Sequence, residues 1–267
     1  MPEELAVLIE SNVAEFLLTM GMIGGGSERV DDEITWTAGG SPIGYHNAVV
    51  RCDASPARGR ALVEEWRTEL SSRSLPGCWH LSPTMRPNEL AKYLTYAGFE
   101  DGGDEPAMAA VLSDLSDSSS LADLEIARVK TDDDLEGYRN VLAVGFGEGP
   151  READWVASVF AKAGVAGDGP WRHMVGRVGG EPVATASLLL TQATAGIYFV
   201  CTRPEFRRRG FGAAMTTAAM IEAARGGAKH AVLGSSPMGQ HIYEHLGFRT
   251  IFSYRLFEFE PQLQRPG

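Results

Sequence analysis

Between an apolar run, Ala195-Gly196-Ile197-Tyr198-Phe199-Val200, and an alanine-rich helical pattern stands the hexapeptide Arg207-Arg208-Arg209-Gly210-Phe211-Gly212. A strand, a tight turn and a helix start in that order point to an α/β plan, and the glycines indicate what the turn is for. Without Cβ atoms at Gly210 and Gly212 a ligand can approach the backbone. The first amides of the following helix, with its dipole behind them, can then point at an anion, and the arginines add charge. Flanking residues exclude two other anion-binding patterns. A dinucleotide fingerprint needs a third glycine where Met215 stands, and a P-loop needs Gly-Lys followed by Ser or Thr.

The pattern continues with Gly226-Gly227, a short apolar strand His230-Ala231-Val232-Leu233, then Ser235-Ser236-Pro237 and a second helix ending Tyr243-Glu244-His245-Leu246-Gly247-Phe248. Together these residues resemble the GNAT superfamily of acetyl-CoA-dependent acyltransferases. Its R-x-x-G-x-G turn is matched by Arg207, Gly210 and Gly212 after Val200-Cys201-Thr202-Arg203-Pro204, and the likeness spans roughly residues 125–260. The resemblance implies acetyl-CoA as cosubstrate and transfer of its acetyl group to the amine of a small-molecule or peptide acceptor. It assigns coenzyme contacts to Val200, Cys201, Thr202, Arg207, Arg208, Arg209, Gly210, Phe211, Gly212 and Ser236, and places Tyr243 by the coenzyme sulfur. It also implies a bulge before the turn, so that a backbone N–H near Val200 faces the thioester carbonyl and Thr202 pairs with the pantetheine amides.

Acyl transfer requires holding the coenzyme, stabilising an oxyanion and protonating a departing thiolate. Tyr243 is the candidate acid. A phenol of pKa about 10 facing a thiol of about 8.5 needs help from its surroundings, and a helix start nearby is expected to lower its pKa. For the base, His173, Glu148, Glu152 and Asp154 lie in or next to the segment expected to meet the acceptor, and a water chain is the alternative. Acidic loops would favour a cationic amine.

The formal net charge of -11 argues against nucleic acid as the main partner. The start, Met1-Pro2-Glu3-Glu4, shows no secretory signal. The most apolar window, residues 182–200, is interrupted by Gln192 and by Thr185, Thr191 and Thr194, so it reads as two strands rather than a membrane span. Cys52, Cys78 and Cys201 do not suggest a disulfide framework, and the cytoplasm is the expected compartment. The sequence leaves oligomeric state open, a homodimer included.

A polar stretch, Ser113-Asp114-Leu115-Ser116-Asp117-Ser118-Ser119-Ser120, has linker composition. It divides the chain into an expected domain 1–115, a linker 116–124 and a catalytic domain 125–267. In the first segment the periodicity predicts a helix at the start, strands at 34–36 and 48–52, a helix at 61–70, a strand at 78–81 and a helix at 87–96 closed by Ala97-Gly98-Phe99. In the second it predicts a strand at 126–129, helices at 132–145 and around 155–163, a hairpin of 174–178 with 183–190, and strands at 197–201 and 251–259.

Cys52 precedes Phe99 by the same separation as Cys201 precedes Phe248, since 99 minus 52 and 248 minus 201 both give 47. With the repeated element order, this reads as two GNAT-like halves, each a mixed, largely antiparallel sheet flanked by helices. The first half has lost the chemistry. Its turn, Asp53-Ala54-Ser55-Pro56-Ala57-Arg58-Gly59-Arg60, lacks the second glycine, and Leu94 stands where the second half has Tyr243.

Two rival readings remain. His241-Ile242-Tyr243-Glu244-His245 matches the H-x-x-E-H pattern of a zinc peptidase class, although the short helix ends at Gly247 and no third ligand is evident; no metal is expected. The other rival is a GNAT-fold protein that binds acetyl-CoA without turnover, as a sensor or scaffold.

Overall fold

The computed structural model describes residues 2–115, 121, 123–147, 149–167, 169–191 and 194–261. They fall into two compact units that the chain visits alternately: Met1–Asn12 with Pro106–Ile251, and Val13–Glu105 with Phe252–Gly267. The units are therefore not the contiguous segments 1–115 and 125–267. Most of the expected linker, residues 116–120 and 122, lies outside the described residues.

The larger unit builds its sheet from β5 (Glu100–Val111, from Pro106 onward), β6 (Glu125–Arg128), β7 (Trp171–Val178), β8 (Glu181–Leu190), β9 (Thr194–Thr202) and β10 (His230–Gly234). The order is β5-β10-β9-β8-β7-β6, antiparallel throughout except where β10 runs parallel to β9. A capping box between Thr131 and Asp134 starts α4 (Asp132–Gly145), as the sequence predicts. The helix α5 (Pro150–Ala163) begins earlier than the periodicity suggests, because Pro150 opens its first turn. On β8, Ser187 meets the α4 residue Tyr138, whereas Ala184, Ala186 and Leu188 pack in one core cluster with Phe211, Ala214 and Met215 of α6 (Phe211–Arg225). Period two thus gives the two faces of β8 to different helices.

The smaller unit contains β1 (Ser27–Val30), β2 (Ile34–Ala38), β3 (Ala48–Cys52), β4 (Gly77–Leu81) and the end of β11 (Arg249–Phe259). They run in the order β1-β2-β3-β4-β11 and are antiparallel except for the parallel pair β3 and β4. Its core joins Leu62, Val63, Trp66 and Leu70 of α2 (Pro56–Arg73) and Leu90 and Leu94 of α3 (Leu90–Tyr96) to Val49, Cys52, Trp79 and Phe257 of the strands.

The sequence-based reading passes over β1 and β5. The outer half of β5, Glu100 to Asp104, is wholly exposed and glycine-bearing, so neither alternation nor β-propensity marks it. The first helix, α1 (Pro2–Gly24), is by length and composition alone apolar enough to cross a membrane, a feature the window 182–200 does not reveal. Its residues Ile9, Val13, Phe16, Leu17 and Met20 are buried. The three cysteines are free and buried, and burial pushes Cys52 and Cys201 up to about 12, leaving unreactive thiols.

Candidate active site

The strand β9 departs from regularity near Val200, where the resemblance implies a bulge. Thr185 of β8 faces Cys201 and Ser187 faces Tyr198, so Ala186 alone opposes both Phe199 and Val200. That is a β-bulge, and Phe199 takes a φ of 52° within it. Such a conformation costs a residue with a side chain about 1–2 kcal/mol and persists only where its surroundings hold it. The hold is visible: Thr185 Oγ1 donates to the Phe199 carbonyl at 2.9 Å. Next to the bulge β9 also loses a neighbour. It pairs with β10 only from Thr194 to Gly196, although β9 runs on to Thr202 and β10 to Gly234. The far end of β9, including Val200 and Thr202, is thus open along the edge that β10 leaves.

A short 3-10 turn, Pro204–Phe206, carries the chain from β9 to the arginine and glycine residues. Gly210 is the N-cap of α6 in a left-handed conformation, with φ 83°, and no side chain caps the helix. The first bond of the helix runs from Ala214 N–H to Gly210 O at 3.0 Å, so the amides of Phe211, Gly212 and Ala213 precede the ladder. A Cβ placed on Gly212 would meet nothing nearer than Thr202 Oγ1 at 4.0 Å. Protein packing therefore does not require glycine there, whereas a ligand lying against the backbone would. This leaves the helix start open to an anionic group.

The arginines divide their work. Arg207 donates to the Thr202 carbonyl at 3.2 Å and to the Gly145 carbonyl at 2.6 Å, which ties the turn to β9 and to the end of α4. The guanidinium expected to face phosphate thus has two carbonyl partners. Arg208 is exposed with φ 62°. Arg209 lies 4.7 Å over the Phe211 ring, with Asp123 3.9 Å away.

Tyr243 sits half-buried in α7 (Gln240–His245), its ring 5.9 Å from that of Phe248. Its hydroxyl has no hydrogen-bond partner among the described residues. Burial, with the Cys201 thiol nearby, pushes it up to about 12. This corrects the expected lowering: desolvation of the phenolate outweighs any effect of the short helix. Ser236 Oγ accepts from Gly239 N–H at 3.2 Å, supporting the turn into α7. His241, Glu244 and His245 share an exposed surface, where His245 Nδ1 lies 2.7 Å from the His241 carbonyl. Among the described residues no group of three or more His, Cys, Asp or Glu could hold a metal.

Behind the bulge lie two buried polar groups. Tyr138 Oη and His173 Nδ1 lie 2.7 and 2.8 Å from Ser187 Oγ, and Thr185 Oγ1 lies 3.1 Å from Cys201 Sγ. Of the candidate bases, His173 stacks on Phe160 at 3.7 Å, and burial holds it down at about 3. Asp154 is exposed and pairs with Arg139 at 2.5 Å. Glu148 lies outside the described residues. Glu152 is buried in the first turn of α5, near enough to raise both the Tyr138 phenol and the Cys201 thiol. Thr185, Ser187, Tyr138 and Phe199 are absent from the sequence-based site. The available signal was two hydroxyl residues, two positions apart, in an otherwise apolar strand.

The corresponding turn of the smaller unit is closed. Ser55 Oγ accepts from Arg58 N–H at 3.4 Å, and Pro56, the first residue of α2, has no N–H to offer. The amides of Asp53 and Ala54 are already bonded to the Glu33 and Arg86 carbonyls.

Residues 169–250 match the family model described as acetyltransferase (GNAT) domain. A GCN5-related N-acetyltransferase from Kribbella flavida is similar in structure with a TM-score of 0.70 at 19% identity, over 92% of this chain and 95% of that one. A conserved protein of unknown function from Staphylococcus epidermidis gives 0.68 at 15% identity, over 88% and 94%. A tandem GNAT protein from the clavulanic acid biosynthesis pathway gives 0.57 at 14% identity, over 90% and 80%. At these identities the likeness is one of fold. Comparison with curated protein sequences finds no match.

Proposed function

We propose, from the match of residues 169–250 to the acetyltransferase (GNAT) domain model, that the protein transfers an acetyl group from acetyl-CoA to an amine by direct attack. One observation carries the reading: a bulged strand, opened along one edge, leads straight into an uncapped helix start whose Gly212 leaves room for a ligand. Bound acetyl-CoA supplies a thioester, at whose carbonyl carbon the amine forms a C–N bond as the C–S bond breaks. The amides of Phe211 to Ala213 hold the pyrophosphate, with Arg208 and Arg209 contributing charge. Arg207 keeps the turn in place. The Val200 N–H receives the carbonyl oxygen as it gains negative charge. Tyr243 stays protonated through the neutral range and donates to the departing sulfur. The amine proton passes to a base of the acceptor segment, with Glu152 in the first turn of α5 and a water chain as the candidates, and solvent restores both groups.

The smaller unit is read as a second GNAT-like half without a coenzyme turn. In support, β3 is bulged beside Val50, just before Cys52, as β9 is bulged just before Cys201. In each unit a parallel strand pair follows, and Ser55 fills the place of the open turn.

Calorimetric titration with acetyl-CoA tests the reading on the wild type and on Gly212→Glu, a position that accepts a Cβ but would set a carboxylate against the pyrophosphate. Saturable binding weakened at least about 100-fold in the variant supports it. No binding to the wild type overturns it. Binding without turnover across a panel of primary amines would favour the sensor alternative.

A further inference from the structure

Thr185 is fully buried on β8, directly across from Cys201. Its hydroxyl lies 2.9 Å from the Phe199 carbonyl and 3.1 Å from Cys201 Sγ. A carbonyl only accepts, so the single hydroxyl hydrogen goes to Phe199, and the threonine oxygen is left to accept from the Cys201 thiol. Carbonyl and N–H of one trans peptide point in opposite directions. Holding the Phe199 carbonyl toward Thr185 therefore directs the N–H of Val200 away from it. Phe199, at φ 52°, would not adopt this orientation unaided. Two residues along β8, buried Ser187 joins Tyr138 and His173 in a hydrogen-bonded group.

We propose that Thr185 is a positioning residue of the transfer site: by holding the Phe199 carbonyl, it aims the Val200 N–H at the thioester oxygen. The proposal rests on the acetyl-transfer reading. Thr185 touches neither substrate, and its hydrogen bond is what separates this role from simple packing.

The test uses the full-length protein with acetyl-CoA carrying carbon-13 at the thioester carbonyl, followed by infrared spectroscopy, and coenzyme A binding by calorimetry as a control. Coenzyme A lacks the carbonyl, so its affinity in T185V, T185A and T185S should stay within about twofold of wild type. In the wild type, the bound carbonyl band should lie below that of free acetyl-CoA. It should return toward the free position in T185V and T185A but not in T185S. With an acceptor amine, T185V should lose about tenfold or more in kcat with little change in KM for acetyl-CoA. An unshifted wild-type band, or a wild-type band retained in T185V and T185A, overturns the proposal. A wild type that binds neither acetyl-CoA nor coenzyme A overturns the acetyl-transfer reading itself, a result distinct from binding without a band shift.

Discussion

Tyr243 and Leu94 stand at the same place in two helix ends built alike. The Tyr243 carbonyl accepts from Phe248 N–H and the Leu94 carbonyl from Phe99 N–H, each at 3.0 Å. Gly247 and Gly98, at φ 90° and 88°, make the reversal in each. The backbone is shared and the side chain is not: Leu94 is wholly buried in an apolar core, whereas Tyr243 brings a hydroxyl beside Cys201. In one half the position packs. In the other it presents a hydroxyl.

Replacing Tyr243 with Phe should therefore affect chemistry and little else. Its hydroxyl has no partner among the described residues, so thermal stability and acetyl-CoA affinity should hold while turnover falls about 100-fold. Because the folded pKa is raised from 10 to about 12, any contribution of Tyr243 to stability is complete below pH 10 and is lost as pH rises through 12. No limb of a pH-rate profile below pH 10 should disappear in Y243F. Unchanged turnover would remove Tyr243 from the mechanism.

The two turn glycines should respond differently to Ala. Gly210 is left-handed at φ 83°, so Gly210→Ala should cost about 1 kcal/mol or more in stability. Gly212 has room for a methyl group, so Gly212→Ala should leave the melting temperature unchanged. Its methyl should instead weaken acetyl-CoA binding by about tenfold, roughly 1.4 kcal/mol. Equal effects of the two variants on stability would contradict this division.

Acid should destabilise the protein well above the carboxylate range. Burial holds His46, His80 and His173 down at about 3, about 4 and about 3. A depressed histidine contributes stability that is complete above its ordinary value near 6.5 and is lost as pH falls toward the folded value. Glu105 has the opposite sign. Burial raises it to about 7, with Tyr45 Oη 3.1 Å away, so its contribution is complete below 4.5 and lost as pH rises through 7. Between pH 4.5 and 6.5 three histidines oppose one carboxyl, and stability should fall on acidification. Urea midpoints at pH 5, 7 and 8 would show this, and Glu105→Gln should raise the midpoint at pH 8 more than at pH 5.

Asn12 of α1 anchors the β8 to β9 hairpin. It is buried, donates to the Leu189 carbonyl at 3.5 Å and Thr194 Oγ1 at 3.2 Å, and accepts from Tyr198 Oη at 2.6 Å. Asn12→Ala should cost about 2–3 kcal/mol, because it leaves buried polar groups without partners. Chemical denaturation measures it, and a loss under about 0.5 kcal/mol would show that the groups find other partners.

What the sequence alone determined is what neighbouring residues decide between themselves. The Arg207 to Gly212 turn, the start of α4 at Thr131 and Asp134, and the Gly-Phe endings at 98–99 and 247–248 all depend on residues within one or two turns of each other. Only tertiary structure decided the rest. The bulge is held by a hydrogen bond from Thr185, fourteen residues from Phe199, and one of the two carbonyl partners of Arg207 is that of Gly145, 62 residues away. Strand β5 has no alternation in its outer half and exists because β10 offers its inner half a ladder. The rise in the Tyr243 pKa is likewise a property of surroundings, since desolvation is set by every group that packs around the phenol, and sequence periodicity carries no record of them.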